Sequence, residues 1–362
     1  MRRWTATIAG AALVAAAACG GASDDADSAS TDAAAATTTS VENAQVESTN
    51  PPVSAPAEPA PTTTAATVDT AAPAADAESA TRIITDAIGE VEVPTNPQRI
   101  VVLDPGEILP TFLELGAPVV AANTPTEDFE TTVVPADDLA ALTSVGFPEA
   151  NFELIAATQP DLIISYFFEG DETSELREIA PVVEIERDLN DWRLSTRRAA
   201  DAIGMADKYD AILAEHDARV ESLADQLGER VNDEISIVRA LGGFVRMHTR
   251  FHFAGQVIES IGFQQPATHQ TEDPAERYIQ ISLEELGQID GDSLFLFGRG
   301  LDDEAIAAAV EEVRSNPLYD TLEVAQADRV FVVDTLAWQQ GGVRAADIIV
   351  DDIAAAYGVD LP

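Results

Sequence analysis

The sequence predicts an α/β protein made of two lobes with parallel sheets, joined by one long backbone helix. Three observations predict it. Short β-branched runs alternate with helical stretches on both sides of residue 190, which is the rhythm of parallel strands linked by crossover helices. Between the halves, Ala199, Ala202, Ile203, Tyr209, Ile212, Leu213, His216, Val220 and Leu223 recur at helical spacing. Finally, one segment occurs twice. Asn151 is followed two places later by Glu153 and ten places later by Asp161, and Ser282 is followed in the same way by Glu284 and Asp292. Asn and Ser are good helix N-caps because their side-chain oxygens satisfy free N–H groups of the first turn, and Ser282 with Glu285 has the form of a capping box.

Residues 1–18 read as a processing signal. Arg2 and Arg3 supply charge, and a short apolar stretch from Trp4 to Ala18 follows. It is too short for a stable membrane span, so a cleaved signal peptide fits better. Cys19 is the only cysteine. The run Ala16-Ala17-Ala18-Cys19-Gly20 resembles a bacterial lipobox, which implies cleavage before Cys19 and acylation of its thiol. Ala16 stands where that motif usually has leucine. An ordinary secretory signal with an incidental cysteine is the competing reading. From 19 to 81 the chain is mostly Ala, Thr, Ser, Pro, Asp and Glu, with no basic residue. Such a stretch cannot bury enough apolar surface to offset the entropy of ordering, so a disordered acidic tether is expected there.

Residues 82–188 are expected to form the N-terminal lobe. Residues 83–93 read as a hairpin, with turn residues 86–89. Residues 99–103 form a β-branched run suited to a strand buried on both faces. A helix over 108–116 ends at Gly116, a strand covers 118–122, and the first repeat helix precedes a strand over 161–165. A helix over 172–179 and a strand over 181–185 complete the lobe. Residues 189–228 are expected to be the connecting helix, with Gly204 as a point where it bends or restarts; about 35 residues of helix would span about 50 Å. The C-terminal lobe, 229–362, begins with a strand over 235–240, a Gly242-Gly243 turn and a strand over 244–247. A helix over 253–260, the second repeat helix, and a strand over 293–297 follow. A helix over 303–313, a strand over 329–333 and a helix over 343–357 end the chain.

Charge excludes several functions. The formal net charge of −44 would repel nucleic acid. It also opposes lying flat on an anionic membrane, which leaves anchoring to the lipid. Lys208 is the only lysine, so clusters of arginine stand out.

The order of parts resembles the iron-siderophore class of ABC-transporter substrate-binding proteins. The resemblance rests on residues 94–103, 151–165, 238–262 and 316–334, and it extends over essentially everything after residue 82. It implies two Rossmann-like lobes and a ligand cleft between them. The ligand implied is a ferric siderophore, and no resident cofactor is expected. It further implies an ABC permease dimer with its ATPase as partner, a monomeric state, and a place on the outer face of the bacterial cytoplasmic membrane, held by the lipid at Cys19. In this family a glutamate opening one helix of each lobe docks into permease arginines, which assigns that role to Glu153 and Glu284. Helix capping alone is the plainer reading of both.

Open α/β sheets bind small molecules at the carboxyl ends of their strands. The loops expected to end there are 104–107, 123–124 and 166–168 from the first lobe, with Tyr166 as the candidate ligand contact, and Arg239, Arg246, His248, Arg250, Arg299 and Trp338 are the candidates from the second. Arginine suits an anionic chelate because its planar fork pairs with oxygens and stacks on rings. A structural ion pair is the competing role for any one arginine, and core packing competes for Trp338 and Tyr166. His248 and His252 are four apart, but the segment reads as strand then loop and no cysteine is available, so no metal site is expected. Haem or cobalamin binding on the same fold, or a lipid-anchored receptor without a transport role, remain alternatives. An enzyme is not expected, since no nucleophile elbow or phosphate-binding glycine loop is present.

Overall fold

The computed structural model describes residues 80–104, 106–124, 132–166, 171–188, 190–300 and 303–361. The expected signal peptide, Cys19 and all but the last two positions of the tether lie outside the described residues. The described chain opens with a hairpin of β1 (Thr81–Thr85) and β2 (Glu90–Pro94). The first lobe follows as β3 (Ile100–Leu103), α1 (Ile108–Glu114), β4 (Val119–Ala122), α2 (Ala136–Ala140), β5 (Thr143–Ser144), α3 (Phe152–Ala157), β6 (Leu162–Ser165), α4 (Asp171–Arg177) and β7 (Val182–Glu184). Its five strands are all parallel, in the order β5-β4-β3-β6-β7.

Helices α5 (Trp192–Ala202) and α6 (Ala206–Leu227) lead to the second lobe. That lobe contains β8 (Ile235–Ala240), β9 (Phe244–His248), α7 (Phe253–Ile261), β10 (Tyr278–Ser282), the 3-10 segment Leu283–Ile289 and β11 (Ser293–Gly298). It ends with α8 (Asp303–Arg314), α9 (Glu323–Gln326), β12 (Val330–Val332), α10 (Thr335–Gln339) and α11 (Val343–Tyr357). The sheet order is β10-β9-β8-β11-β12. Strands β8, β11 and β12 are parallel, but β9 and β10 run antiparallel, so this sheet is mixed where a parallel one was expected. The Gly242-Gly243 turn is too short for a crossover, and only an antiparallel partner can follow it. The second repeat helix is a 3-10 segment with the expected Ser282–Glu285 capping box.

The connector differs from a single rod. Gly204 adopts φ 75 and breaks the helix between α5 and α6, a conformation that glycine reaches without a Cβ penalty. The two pieces fold back on each other. Arg197 forks onto Asp210 at 2.8 and 2.9 Å, Arg193 reaches Asp217 at 2.9 Å, and the Thr196 and Tyr209 hydroxyls meet at 2.5 Å. The long helix is therefore α6 alone, about 33 Å at 1.5 Å per residue.

Period-2 alternation sorts the core. Ile100 and Val102 of β3, Ile235 and Ile237 of β8, and Phe295 and Phe297 of β11 face one apolar cluster, which also holds Tyr209, Leu223 and the buried face of α11. Val101 and Leu103 face a second cluster within the first lobe, and Val238, Leu294 and Leu296 a third within the second lobe. The first cluster runs through both lobes and the connector. Packed interiors resist deformation, so this continuous core favours small relative motions over wide hinge opening.

The two repeat aspartates have matching structural roles. Asp161 accepts the Gln98 and Arg99 N–H groups at 2.7 and 2.9 Å, just before β3. Asp292 accepts the Glu234 N–H at 2.8 Å, just before β8. Each therefore pins the start of the central strand to its neighbour. Asp161→Ala should lower stability by about 1–2 kcal/mol through two released N–H groups, and Asp292→Ala by less. Urea midpoints would check that order.

Candidate functional site

A cleft of about 260 Å³ is lined by Arg187, Arg239, Arg246, His248, His252, Arg277, Tyr278, Gln339 and Gln340. Arg187 follows β7 of the first lobe, and the others come from the second. The glycines beside Gln340 bring the lobes together: Gly341 donates its N–H to the Gly106 carbonyl at 3.4 Å. A Cβ on Gly341 would stand 2.5 Å from Glu107 Cγ, so the approach requires glycine.

Strand register assembles the positive charge. Arg239 and Arg246 are direct partners across β8 and β9, and Gln280 of β10 is partner to Arg246. Like charges facing each other on adjacent strands destabilise a sheet. Burial and the charges of Arg299 and Arg246 push Arg239 down to about 10, still protonated at neutral pH. Burial likewise lowers Arg277, with Arg187 adding repulsion. The Nε atoms of Arg239 and Arg277 are buried and have no hydrogen-bond partner among the described residues. The Arg246 guanidinium lies 3.9 Å above the Tyr278 ring, a cation–π contact that holds it in place. Unsatisfied buried donors are costly, and a ligand with several anionic oxygens would satisfy them.

The histidines form the adjoining wall. His248 ends β9 and His252 caps α7, with ring centroids 3.8 Å apart. The Nδ1 of His252 accepts the Ala254 N–H at 3.4 Å. Burial, with Arg239 next, pushes His248 down to about 3, and burial also pushes His252 well below the usual range. Both imidazoles are neutral at pH 7. Among the described residues no group of three His, Cys, Asp or Glu is placed to hold a metal ion. A histidine held neutral by folding contributes stability above pH 6.5 that is lost as pH falls toward its folded value. His248→Gln should therefore lose less stability than the parent between pH 7 and 4.5. Equal losses in paired urea melts at the two pH values would remove His248 from the acid response.

The structure sorts the candidates read from sequence. Arg239, Arg246 and His248 line the cleft. Tyr166 is half-buried, with the Arg187 guanidinium 5.5 Å from its ring, so it backs a cleft arginine. Trp338 is buried, stacks on Phe295 at 4.6 Å and donates Nε1–H to Asp352 at 2.7 Å, the packing role weighed against ligand contact. Its partner Phe295 faces the core, which draws the indole inward and leaves Gln339 and Gln340 to reach the cleft. Arg250 stands apart from the three that line the cleft. It lies over Phe251 at 4.5 Å and 3.9 Å from Glu259, outside the lining. Arg299 is exposed, and acts on the site through its charge beside Arg239.

Two cleft arginines escaped the sequence reading. Arg187 lies just past a strand's carboxyl end, the rule already used for its neighbours. Arg277 precedes β10, whose Ile279 and Ile281 alternate as a strand, but only the antiparallel pairing brings its start to the cleft edge. Glu153 and Glu284 are exposed, in the first turns of α3 and of Leu283–Ile289. Neither forms an ion pair with a described residue.

Residues 100–336 match the family described as Periplasmic binding protein. The chain belongs to that family. The "Probable siderophore-binding lipoprotein YfiY" of Bacillus subtilis (strain 168) is 30% identical over 293 residues, covering 77% of this chain and 88% of that protein. The Fe(3+)-citrate-binding protein YfmC of the same strain is 28% identical over 279 residues, 75% of this chain and 84% of its own. Among solved structures, Staphylococcus aureus SirA complexed with staphyloferrin B superposes with a TM-score of 0.68 at 22% identity, covering 77% of this chain and 99% of that one. That likeness carries the two-lobed fold. Family members are binding proteins.

Proposed function

We propose that this chain is the extracytoplasmic substrate-binding lipoprotein of an ABC importer, and that it captures a ferric siderophore between its lobes. The observation that carries the reading is the convergence of Arg187, Arg239, Arg246 and Arg277 on one cleft, in a chain of net charge −44. Within so acidic a protein, four clustered guanidinium groups call for an anionic ligand. Ferric chelates with carboxylate or catecholate arms have the charge and the planar oxygen pairs that arginine forks match. The named relatives, a siderophore-binding lipoprotein and a ferric-citrate-binding protein, support the same class.

The mechanism is capture and delivery. Arginines pair with chelate oxygens, Tyr278 and the histidines offer ring faces, and the Gln339 and Gln340 amides complete the polar lining. The lobes close by a small amount, limited by their shared core. Glu153 and Glu284 then dock the loaded protein on the permease dimer, where charge-assisted pairs set register. Acylated Cys19 holds the protein at the membrane, and it works as a monomer without a resident cofactor.

Titration of the full chain against ferric citrate, ferric catecholates, ferric hydroxamates, haem and cobalamin, each metallated species beside its metal-free form, tests the reading. Saturable binding of one ferric chelate is expected. Both described tryptophans, Trp192 and Trp338, are buried, so calorimetry is a better readout than contact quenching. Binding of haem or cobalamin alone would keep the transport role and overturn the ligand, and binding of none would favour a receptor.

A further inference from the structure

One of the four cleft arginines differs from the rest. Arg187 Nη2 donates to Glu107 Oε2 at 3.1 Å, the pair joining a side chain 35% exposed to one 4% exposed. Arg239, Arg246 and Arg277 have no carboxylate within ion-pair distance among the described residues. A buried acid thus stands behind a cleft built to attract anions. Its position is fixed from several sides. Asp104 shares its loop and accepts the Glu107 N–H at 3.0 Å. Gly341 and Gly342 of the other lobe pack on it. Tyr166, past β6, and Arg277, before β10, act on its charge, and Glu107 in turn acts on Tyr209 of α6.

We propose that Glu107 is an internal anion that holds Arg187 until the ligand takes the guanidinium over, which makes Glu107 the residue that sets how much negative charge the cleft accepts. The proposal rests on the reading of the ligand as an anionic ferric chelate. A ligand without surplus charge leaves the pair intact and gains only the three guanidinium groups that have no carboxylate partner among the described residues. A more highly charged ligand competes with Glu107 for the fourth, and loses affinity to that competition while Glu107 is ionised.

A consequence follows from burial. Desolvation pushes Glu107 up to about 7, with Asp104 adding to the rise and Arg187 opposing it. When ligand oxygens draw Arg187 away, the opposing charge goes and Glu107 takes up a proton. At pH 7 the group is about half ionised, so capture should take up about half a proton. The liganded state then holds more protons than the free one, and affinity for an anionic chelate rises as pH falls from 8 toward 6.

Calorimetric titration of the full chain tests this, run in phosphate and in Tris so that the difference in buffer ionisation heat reads proton uptake. The probes are ferric enterobactin, a trianionic tris-catecholate, ferric citrate, and ferrichrome, an uncharged trihydroxamate. For the parent, uptake of about half a proton is expected with the anionic probes at pH 7. Glu107→Gln should abolish that share of uptake and tighten anionic probes about tenfold at pH 8, with the gain shrinking at pH 6. Arg187→Gln, at a partly exposed position, should also lose the uptake while binding anionic probes more weakly, and it serves if Glu107→Gln folds poorly. Unchanged uptake in both variants, or equal weakening of charged and uncharged probes by Glu107→Gln, would overturn the role given to Glu107 alone. Failure of the parent to bind either anionic probe would overturn the ligand reading and this role together.

Discussion

Replacing Arg239 and Arg246 together by glutamine is expected to weaken ferric-chelate binding by about a hundredfold or more while leaving the protein at least as stable. The two effects have opposite signs for one reason. Each guanidinium makes a charge-assisted contact worth about 1.5–3 kcal/mol, and two such contacts correspond to roughly 10²-fold or more in affinity. In the empty cleft the same pair faces itself across β8 and β9, and Arg239 bears the further repulsion of Arg299. Removing the pair relieves that repulsion. Both side chains line the cleft, so the space that the shorter glutamines vacate is open to water and adds no sealed cavity. Calorimetric affinity and urea midpoints on the same preparations would decide it. If stability fell and affinity held, the arginines would be structural and the ligand would bind elsewhere.

The fold was largely legible because its signals are local. Strands such as 100–103 carry β-branched residues on both faces, and helices such as α11 begin and end near glycines that the sequence displays. The repeat was legible too, although the clamp that Asp161 and Asp292 place on the central strands consists of hydrogen bonds to residues 58 to 63 positions away. What escaped depends on strand direction and on which way a side chain turns. Trp338 sits one residue from Gln339, yet one is stacked in the core and the other lines the cleft; nothing in the residue order distinguishes them. Arg250 and Arg246 look alike in sequence, but Arg246 lies on a strand with Tyr278 beneath it, while Arg250 stands past the strand's end beside Glu259. Arg277 depends on a long-range antiparallel pairing. Gly204 was read as a bend or restart, and the hairpin it produces follows from ion pairs between residues up to 24 apart.

Charge reversal at both repeat glutamates, Glu153→Arg with Glu284→Arg, is expected to abolish uptake while leaving chelate affinity unchanged. Glu153 follows an Asn151 cap that accepts the Leu154 N–H at 3.1 Å, and Glu284 lies inside the Ser282–Glu285 capping box. Each helix start is thus already satisfied without its glutamate, and each side chain is exposed. Loss of the favourable helix-terminus charge should lower stability by only about 0.3–1 kcal/mol per site, far too little to unfold the protein. Topology also pairs them: each short helix feeds the strand lying parallel to its lobe's first central strand, β6 beside β3 and β11 beside β8. On the docking role proposed for them, two equivalent acids on two similar lobes would match the two subunits of a permease dimer, and a reversed charge would turn attraction to basic permease residues into repulsion. Single reversals should leave partial uptake, because one lobe still engages. Cells carrying the double variant as their only copy, supplied with the chelate as sole iron source, provide the readout, with calorimetric affinity as the control. Uptake at the parental rate would return both glutamates to helix stabilisation and separate binding in this cleft from delivery through that face.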